Sequence, residues 1–257
     1  MSKKIGLLLR SYAKTAEDVP GVVERALKSI NRVSNLWRLR DDSPAFNQII
    51  IVTPIDYDCS ETAEAIRTIL CTRAWQYIEN VTVLEAPGHH SCGALNSGVD
   101  ILATLGVGYT VIVSNKAIAA LTADTTEAII EAFDVGAKAV GVAVDELQDV
   151  VLDGRIQNTC AGWEINALRA VGGFDSEKGV EEIASTVRLI REYGACIAVL
   201  DPKKKPVLDI RKTADGKARH DEVMNTKIAR QLAEVERVGS DFNFIKSGIM
   251  PGYPLTV

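Results

Sequence analysis

The sequence has little of what would mark a nucleic-acid binder, a membrane protein or a disulfide scaffold. It has no positive surplus: in 257 residues, 29 Lys and Arg face 34 Asp and Glu, a formal net charge of −5. Neutralising nucleic-acid phosphates needs a basic face, so nucleic acid is not an expected partner. No uninterrupted apolar stretch reaches the roughly 18–20 residues that span a bilayer, so no membrane span is expected. The start, Met-Ser-Lys-Lys-Ile-Gly-Leu-Leu-Leu-Arg, stops being apolar at Arg10. A secretory signal needs an apolar region of roughly 7–15 residues and a small-residue cleavage site, so this segment reads as a first strand. The five cysteines, Cys59, Cys71, Cys92, Cys160 and Cys196, are odd in number, scattered, and form no C-x-x-C pair. That pattern supports neither a disulfide framework nor a zinc ribbon, and points to buried reduced thiols in the cytoplasm. Internal repeats and low-complexity tracts are also lacking.

What is present is 47% hydrophobic and 25% charged. This is a globular balance with enough apolar mass for a sizeable core. Short apolar runs alternate with segments of helical period. Strands are expected at Ile5 to Arg10, Gln48 to Thr53, Val81 to Leu84, Tyr109 to Val113, Lys138 to Val144 and Cys196 to Leu200. Helices are expected after Pro20, with Val22, Val23, Ala26, Leu27, Ile30 and Val33 on one face, and from an Asp58 or Ser60 cap to Cys71. Further helices are expected at Ala94 to Leu105, Asp124 to Phe133 and Val180 to Tyr193. Strands alternating with helices of this length mean βαβ units, hence an α/β fold with a mostly parallel sheet covered on both faces. Residues 202–257 differ: a charged, proline-bounded connector with a lysine run, then a helix from about His220 to Val238. Its Val223, Ile228, Leu232 and Val235 are spaced for packing. The patternless tail is expected to pack on the domain or on a second copy of the chain.

Ligands of open α/β sheets sit at the carboxyl ends of the strands, so the loops there carry the candidates. Arg10, Ser11 and Tyr12 follow the first strand. Asp56 and Asp58 follow the second: Asp56 suits a base, ribose or metal, or an Asx turn, and Asp58 suits a helix cap. The loop from Gly88 to Gly93 feeds a helix but fits neither G-x-G-x-x-G nor the P-loop. Its His89 and His90 could ligate a metal or donate a proton, but adjacent side chains diverge and no second ligand cluster is visible. Ser114, Asn115 and Lys116 follow the fourth strand. Glu181 and Glu182 open a helix just beyond a Gly-Gly-Phe-Asp turn, where acids either offset the helix dipole or place a general base at a cleft.

In this order the elements resemble the GT-A fold of family 2 glycosyltransferases over about residues 4–201. The resemblance rests on a first strand ending in a short polar loop, Leu-Leu-Leu-Arg-Ser-Tyr, and on the acidic loop Thr-Pro-Ile-Asp-Tyr-Asp. It rests further on the helix Gly93-Ala94-Leu95-Asn96-Ser97-Gly98, and most specifically on Gly172-Gly173-Phe174-Asp175 followed by Glu181-Glu182. It implies a nucleotide-sugar-binding domain over residues 1–201. In that domain Arg10, Ser11, Tyr12, Asp56, Asn96, Ser114 and Lys116 would contact the donor. Trp163, Gly172, Gly173, Phe174 and Asp175 would lie on the acceptor side, with Glu182 or Glu181 as the catalytic base.

One departure bears on the chemistry. The family's D-x-D motif should follow Tyr109 to Val113, yet Ser114-Asn115-Lys116 stands there without a carboxylate. Mg2+ and Mn2+ prefer carboxylate oxygens, so either ion stays an option with no ligand assigned to it, and Lys116 could supply a point charge in the metal's place. The Q-x-x-R-W signature of processive synthases is missing too. An inverting glycosyltransferase, working with or without a metal, and a non-catalytic GT-A-like binding or assembly protein both fit. A nucleotidyltransferase fits less well, because Arg10-Ser11-Tyr12-Ala13-Lys14 contains no glycine.

Overall fold

The apolar runs become parallel strands because both of their faces are covered. The computed structural model describes residues 3–38, 42–55, 61–72, 80–87, 92–144, 148–175, 181–203, 226 and 229–257. Ile5–Arg10 forms β1, Gln48–Pro54 β2, Val81–Ala86 β3 and Tyr109–Ser114 β4. Ala139–Val142 forms β5, Cys160–Glu164 β6, Ile197–Asp201 β7 and Leu255–Thr256 β8. The helices are α1 Val19–Ser34, α2 Thr62–Leu70, α3 Cys92–Thr104, α4 Ala123–Asp134, α5 Gln148–Leu152, α6 Ile165–Ala170 and α7 Glu181–Tyr193. Residues 229–237 are helical (α8), and Phe242–Ser247 forms α9.

The eight strands make one sheet in the order β3-β2-β1-β4-β6-β5-β7-β8. All neighbours are parallel except β6, which runs antiparallel to both β4 and β5. Strand order reverses at β1: the chain first builds outward through β2 and β3, then returns to β1's other side with β4. The carboxyl ends of β1 and β4 therefore flank the crevice where such sheets bind ligands. Leu7, Leu8 and Leu9 are fully buried at the sheet's centre. In α1, Val22, Val23, Ala26, Ile30 and Val33 are buried, with Pro20 in the first turn, where its missing N–H costs nothing.

Three features go beyond what the sequence pattern shows. The first concerns β6, which no apolar run announces. Cys-Ala-Gly-Trp-Glu has a central glycine, and a Cβ there would meet Phe133 Cζ at 2.9 Å. Close packing of α4 on the sheet, rather than β propensity, makes this segment a strand. The second concerns the helix before the tail. Leu232 is 46% exposed, while Gln231, Glu234 and Val235 are buried. The helix thus turns a more polar face inward than its apolar spacing suggests, with Arg155 Nη1 3.5 Å from Gln231 Oε1. Val223 and Ile228 lie outside the described residues. The third concerns the tail, which is ordered by hydrogen bonding rather than by periodicity. Asp241 Oδ1 caps α9 by accepting from Phe244 N at 2.8 Å. Lys203 N donates to Val257 O at 2.8 Å, so the chain end is zipped onto β7's edge.

Of the cysteines, Cys92, Cys160 and Cys196 are buried free thiols and Cys71 is exposed; Cys59 lies outside the described residues. Burial pushes the Cys160 thiol up to about 12 and, opposed by the charge of Lys138, the Cys196 thiol up to about 11. Among the described residues no helix is long and apolar enough to cross a membrane.

Candidate functional site at the carboxyl edge of the sheet

Register brings the first set of candidates together. Arg10 pairs with Val52 on one side and with Ser114 on the other. Ser11 N continues the ladder to Val52 O at 3.0 Å, and Ser114 N continues it to Thr159 O at 3.0 Å. Because β6 runs antiparallel, its entry rather than its exit lies at this edge, so Asn158 and Thr159 join the ends of β1 and β4. Asn115 Nδ2 donates to Ser11 Oγ at 3.2 Å. Arg10 Nη2 reaches past β4 to donate to Asn158 O at 3.1 Å.

Asn158 is the hub of this arrangement, and no sequence signal singled it out. Its backbone N donates to Glu182 Oε1 at 3.3 Å, and its Oδ1 accepts from Trp163 Nε1 at 2.9 Å. An indole nitrogen can only donate, so this contact fixes the carboxamide's orientation. The amide nitrogen is then a defined donor, and it has no partner among the described residues, although Asn158 is only 1% exposed. Thr53 Oγ1 and Asn115 Oδ1, at the same edge, are also buried with no partner among the described residues.

Glu182 is 2% exposed and faces inward. Its own carbonyl accepts from Thr186 Oγ1 at 2.7 Å, one turn along α7. Glu181 opens the same helix; its side chain lies outside the described residues.

The Gly-Gly-Phe-Asp turn is built from glycine geometry and one asparagine. Gly172 and Gly173 have φ of 87° and 70°, the left-handed region that glycine enters without strain. Asn96 clasps the turn: its Oδ1 accepts from Phe174 N at 2.9 Å and its Nδ2 donates to Phe174 O at 2.8 Å. The residue expected to contact the donor thus uses both ends of its amide on the Gly-Gly-Phe-Asp turn. Trp163 and Phe174, expected on that side as well, are buried and meet edge to face with centroids 5.2 Å apart. Gly172 and Asp175 are the exposed members. Arg188 Nη1 binds Asp175 Oδ2 at 2.8 Å, and Arg237 of α8 approaches the other oxygen at 3.6 Å.

The remaining candidates fall in two groups. Tyr12 is half-buried and Lys116 exposed, both at the edge. Asp56, Asp58, Gly88, His89 and His90 lie outside the described residues. The turn after β4 offers a hydroxyl, a carboxamide and an ammonium group, a set that does not suit a hard divalent cation. Among the described residues, no three His, Cys, Asp or Glu converge into a cluster.

No protein-family model matches the chain, and no curated protein matches its sequence. Solved structures do match. A mannosyltransferase from Pyrobaculum calidifontis, in complex with GDP-Man and Mn2+, superposes with a TM-score of 0.58 at 16% identity over 92% of this chain. This chain spans 65% of that protein's length. The 4-diphosphocytidyl-2C-methyl-D-erythritol synthase of Anaerococcus prevotii matches with a TM-score of 0.51 at 13% identity, over 87% of this chain and 99% of that one. A protein from Desulfovibrio desulfuricans, described as a nucleotide-diphospho-sugar transferase, matches with a TM-score of 0.51 at 10% identity, over 97% and 100%. At these identities the likeness establishes the fold: a GT-A-like, mostly parallel α/β sheet of the kind found in nucleotide-sugar transferases and cytidylyltransferases.

Proposed function

We propose that the protein binds a nucleotide-activated sugar at the carboxyl edge of β1 and β4 and transfers the sugar to an acceptor hydroxyl. The observation that carries this reading is the convergence of Arg10, Ser11, Asn115, Asn158 and Glu182 at the strand-order reversal of a GT-A-like sheet. Trp163 ties that cluster to the Gly-Gly-Phe-Asp turn, touching Asn158 on one side and Phe174 on the other. In this reading Arg10, Ser11, Tyr12, Ser114 and Lys116 meet the nucleotide and its phosphates, and Asp56 meets the base. Glu182 or Glu181 takes the proton of the acceptor hydroxyl. The hydroxyl oxygen bonds to the anomeric carbon as the bond to the diphosphate breaks, inverting that carbon. The free thiols favour a reducing compartment, the cytoplasm.

The burial of Glu182 favours a second reading. A general base must come within roughly 2.6–3.2 Å of the proton it removes, and a carboxylate 2% exposed is placed to hold Asn158 instead. The site would then bind its ligand without turning it over. Calorimetry with UDP-, GDP-, CDP- and dTDP-sugars, followed by product analysis with simple acceptors, separates the two. Transfer that Glu182→Gln abolishes supports the first reading, and tight binding with no turnover supports the second. Failure of every nucleotide sugar to bind overturns both.

A further inference from the structure

We propose that a second ligand pocket, between the end of α7 and the turn joining α8 to α9, takes a small zwitterion of the free α-amino acid class. The pocket is open to solvent, has a volume of about 420 Å3, and is lined by Arg191, Gly239, Ser240, Asp241 and Phe244. That volume falls within the roughly 300–1,000 Å3 usual for small-molecule sites. Arg191 stands nine residues after Glu182 on α7, about 14 Å along the helix axis at 1.5 Å per residue. The pocket is therefore separate from the cluster around Asn158.

Two charges of opposite sign line this one cavity, and neither belongs to an ion pair among the described residues. The guanidinium is held in place: Arg191 Nη2 donates to Val238 O at 2.7 Å and to Gly239 O at 2.9 Å. Both acceptors are neutral carbonyls, and Nε and Nη1 keep N–H groups with no acceptor among the described residues. Asp241 caps α9 through Oδ1, which accepts from Phe244 N at 2.8 Å, and its Oδ2 has no partner among the described residues. The half-buried Phe244 ring, its centroid 6.0 Å from Arg191 Cζ, supplies an apolar wall. The lining thus has no net charge yet presents one charge of each sign. A carboxylate would accept from Arg191 while an ammonium group donates to Asp241 Oδ2, and charge-assisted hydrogen bonds of this kind are the strong ones. A phosphate dianion would set surplus negative charge beside Asp241, and an apolar ligand would strip water from both charges without replacing it. Backbone contacts already fix Arg191 and Asp241, so little side-chain freedom is lost when the ligand arrives.

The test is calorimetry of the whole chain at pH 7 with glycine, L-alanine, L-serine, L-leucine and L-phenylalanine, and with inorganic phosphate and glucose for comparison. The N-acetyl derivative and the decarboxylated amine of each amino acid that binds are titrated next. The expected result is binding of at least one amino acid, weakened about tenfold or more in either derivative, the effect of one charged hydrogen bond. Arg191→Gln should weaken it to the same degree. Should that variant fail to fold by circular dichroism, Asp241→Asn replaces it. Asparagine caps a helix as well as aspartate does but offers the ammonium group no charge, so a similar weakening is expected. Absence of binding by all the amino acids, tighter binding of phosphate or glucose, equal affinity for the N-acetyl derivative, or variants that bind as tightly as wild type overturns the inference. Each of these results leaves the nucleotide reading standing, because that reading rests on other residues at the opposite end of α7.

Discussion

Replacing Asn96 by alanine tests whether this residue is a clasp or a ligand contact. The substitution strands two buried backbone groups at once, the N–H and the carbonyl of Phe174, now held by Asn96 at 2.9 and 2.8 Å. Phe174 is 2% exposed, so water does not replace the lost partners. Each orphaned group costs roughly 1–3 kcal/mol, which predicts about 2–6 kcal/mol of destabilisation. For a chain of this size 1 kcal/mol lowers Tm by about 2–4 °C, so thermal denaturation should show a drop of about 4–24 °C. Asn96→Asp sharpens the test. At neutral pH its carboxylate still accepts from Phe174 N but faces Phe174 O with like partial charge. Protonation restores a donor, so the gap to wild type should narrow as pH falls from 7 towards 5. An Asn96→Ala variant that melts within 1 °C of wild type, or that melts normally but loses nucleotide affinity, would refute the clasp.

Gly173→Ala should destabilise by about 1–2 kcal/mol or more in urea melts: its φ of 70° is costly for an L side chain, and the new Cβ would meet Asn96 Oδ1 at 2.6 Å. Melts unchanged from wild type would contradict it. In the Cys59→Ser, Cys71→Ser double variant, a thiol reagent should label nothing in the folded protein, because Cys92, Cys160 and Cys196 are buried. All three should react in denaturant, and rapid labelling without denaturant would show that the core opens. The Cys160 thiol is pushed up by burial from 9.0 to about 12. The unfolded chain therefore releases this proton first, and the stability the thiol contributes is intact below pH 9 and lost as pH rises towards 12. The slope is about 1.4 kcal/mol per pH unit in that window. Comparing urea melts at pH 8 and pH 10, Cys160→Ala should show a shallower loss than wild type, and equal losses would contradict the burial argument. Arg237→Ala should destabilise by about 1–3 kcal/mol in urea melts, because it strips two hydrogen bonds, at 2.9 and 2.7 Å, from the carboxylate of Glu234, whose side chain is 9% exposed; melts unchanged from wild type would contradict it.

Much of the sheet is readable from the chain. Gln-Ile-Ile-Ile-Val-Thr and Tyr-Thr-Val-Ile-Val are β-branched runs of a kind that only a strand covered on both faces uses. Pro20 followed by apolar residues at helical spacing announces α1. Local pattern does not announce β6, whose Gly162 is required by the approach of Phe133, a residue 29 positions earlier in the chain. Nor does it announce Asn158, an uncharged residue in a polar loop whose importance comes from three partners, Arg10, Trp163 and Glu182. Leu232 shows the opposite failure: its spacing suits the core, but the helix buries Gln231 and Glu234 and leaves Leu232 46% exposed.

Composition and spacing by themselves determined an acidic α/β protein with a parallel sheet, loops for chemistry at the strand ends, and a Gly-Gly-Phe-Asp turn followed by acids. Those features are local, set by side-chain branching, helical period and glycine's backbone freedom, and each can be read within a dozen residues. Tertiary structure alone decided that Arg10 crosses β4 to reach Asn158, that Asn96 holds Phe174, and that Glu182 points inward. Each of these depends on strand order and on the reversed direction of β6, which bring together residues 78 to 148 positions apart. No local propensity encodes such a meeting, because its free energy appears only once the whole sheet has formed.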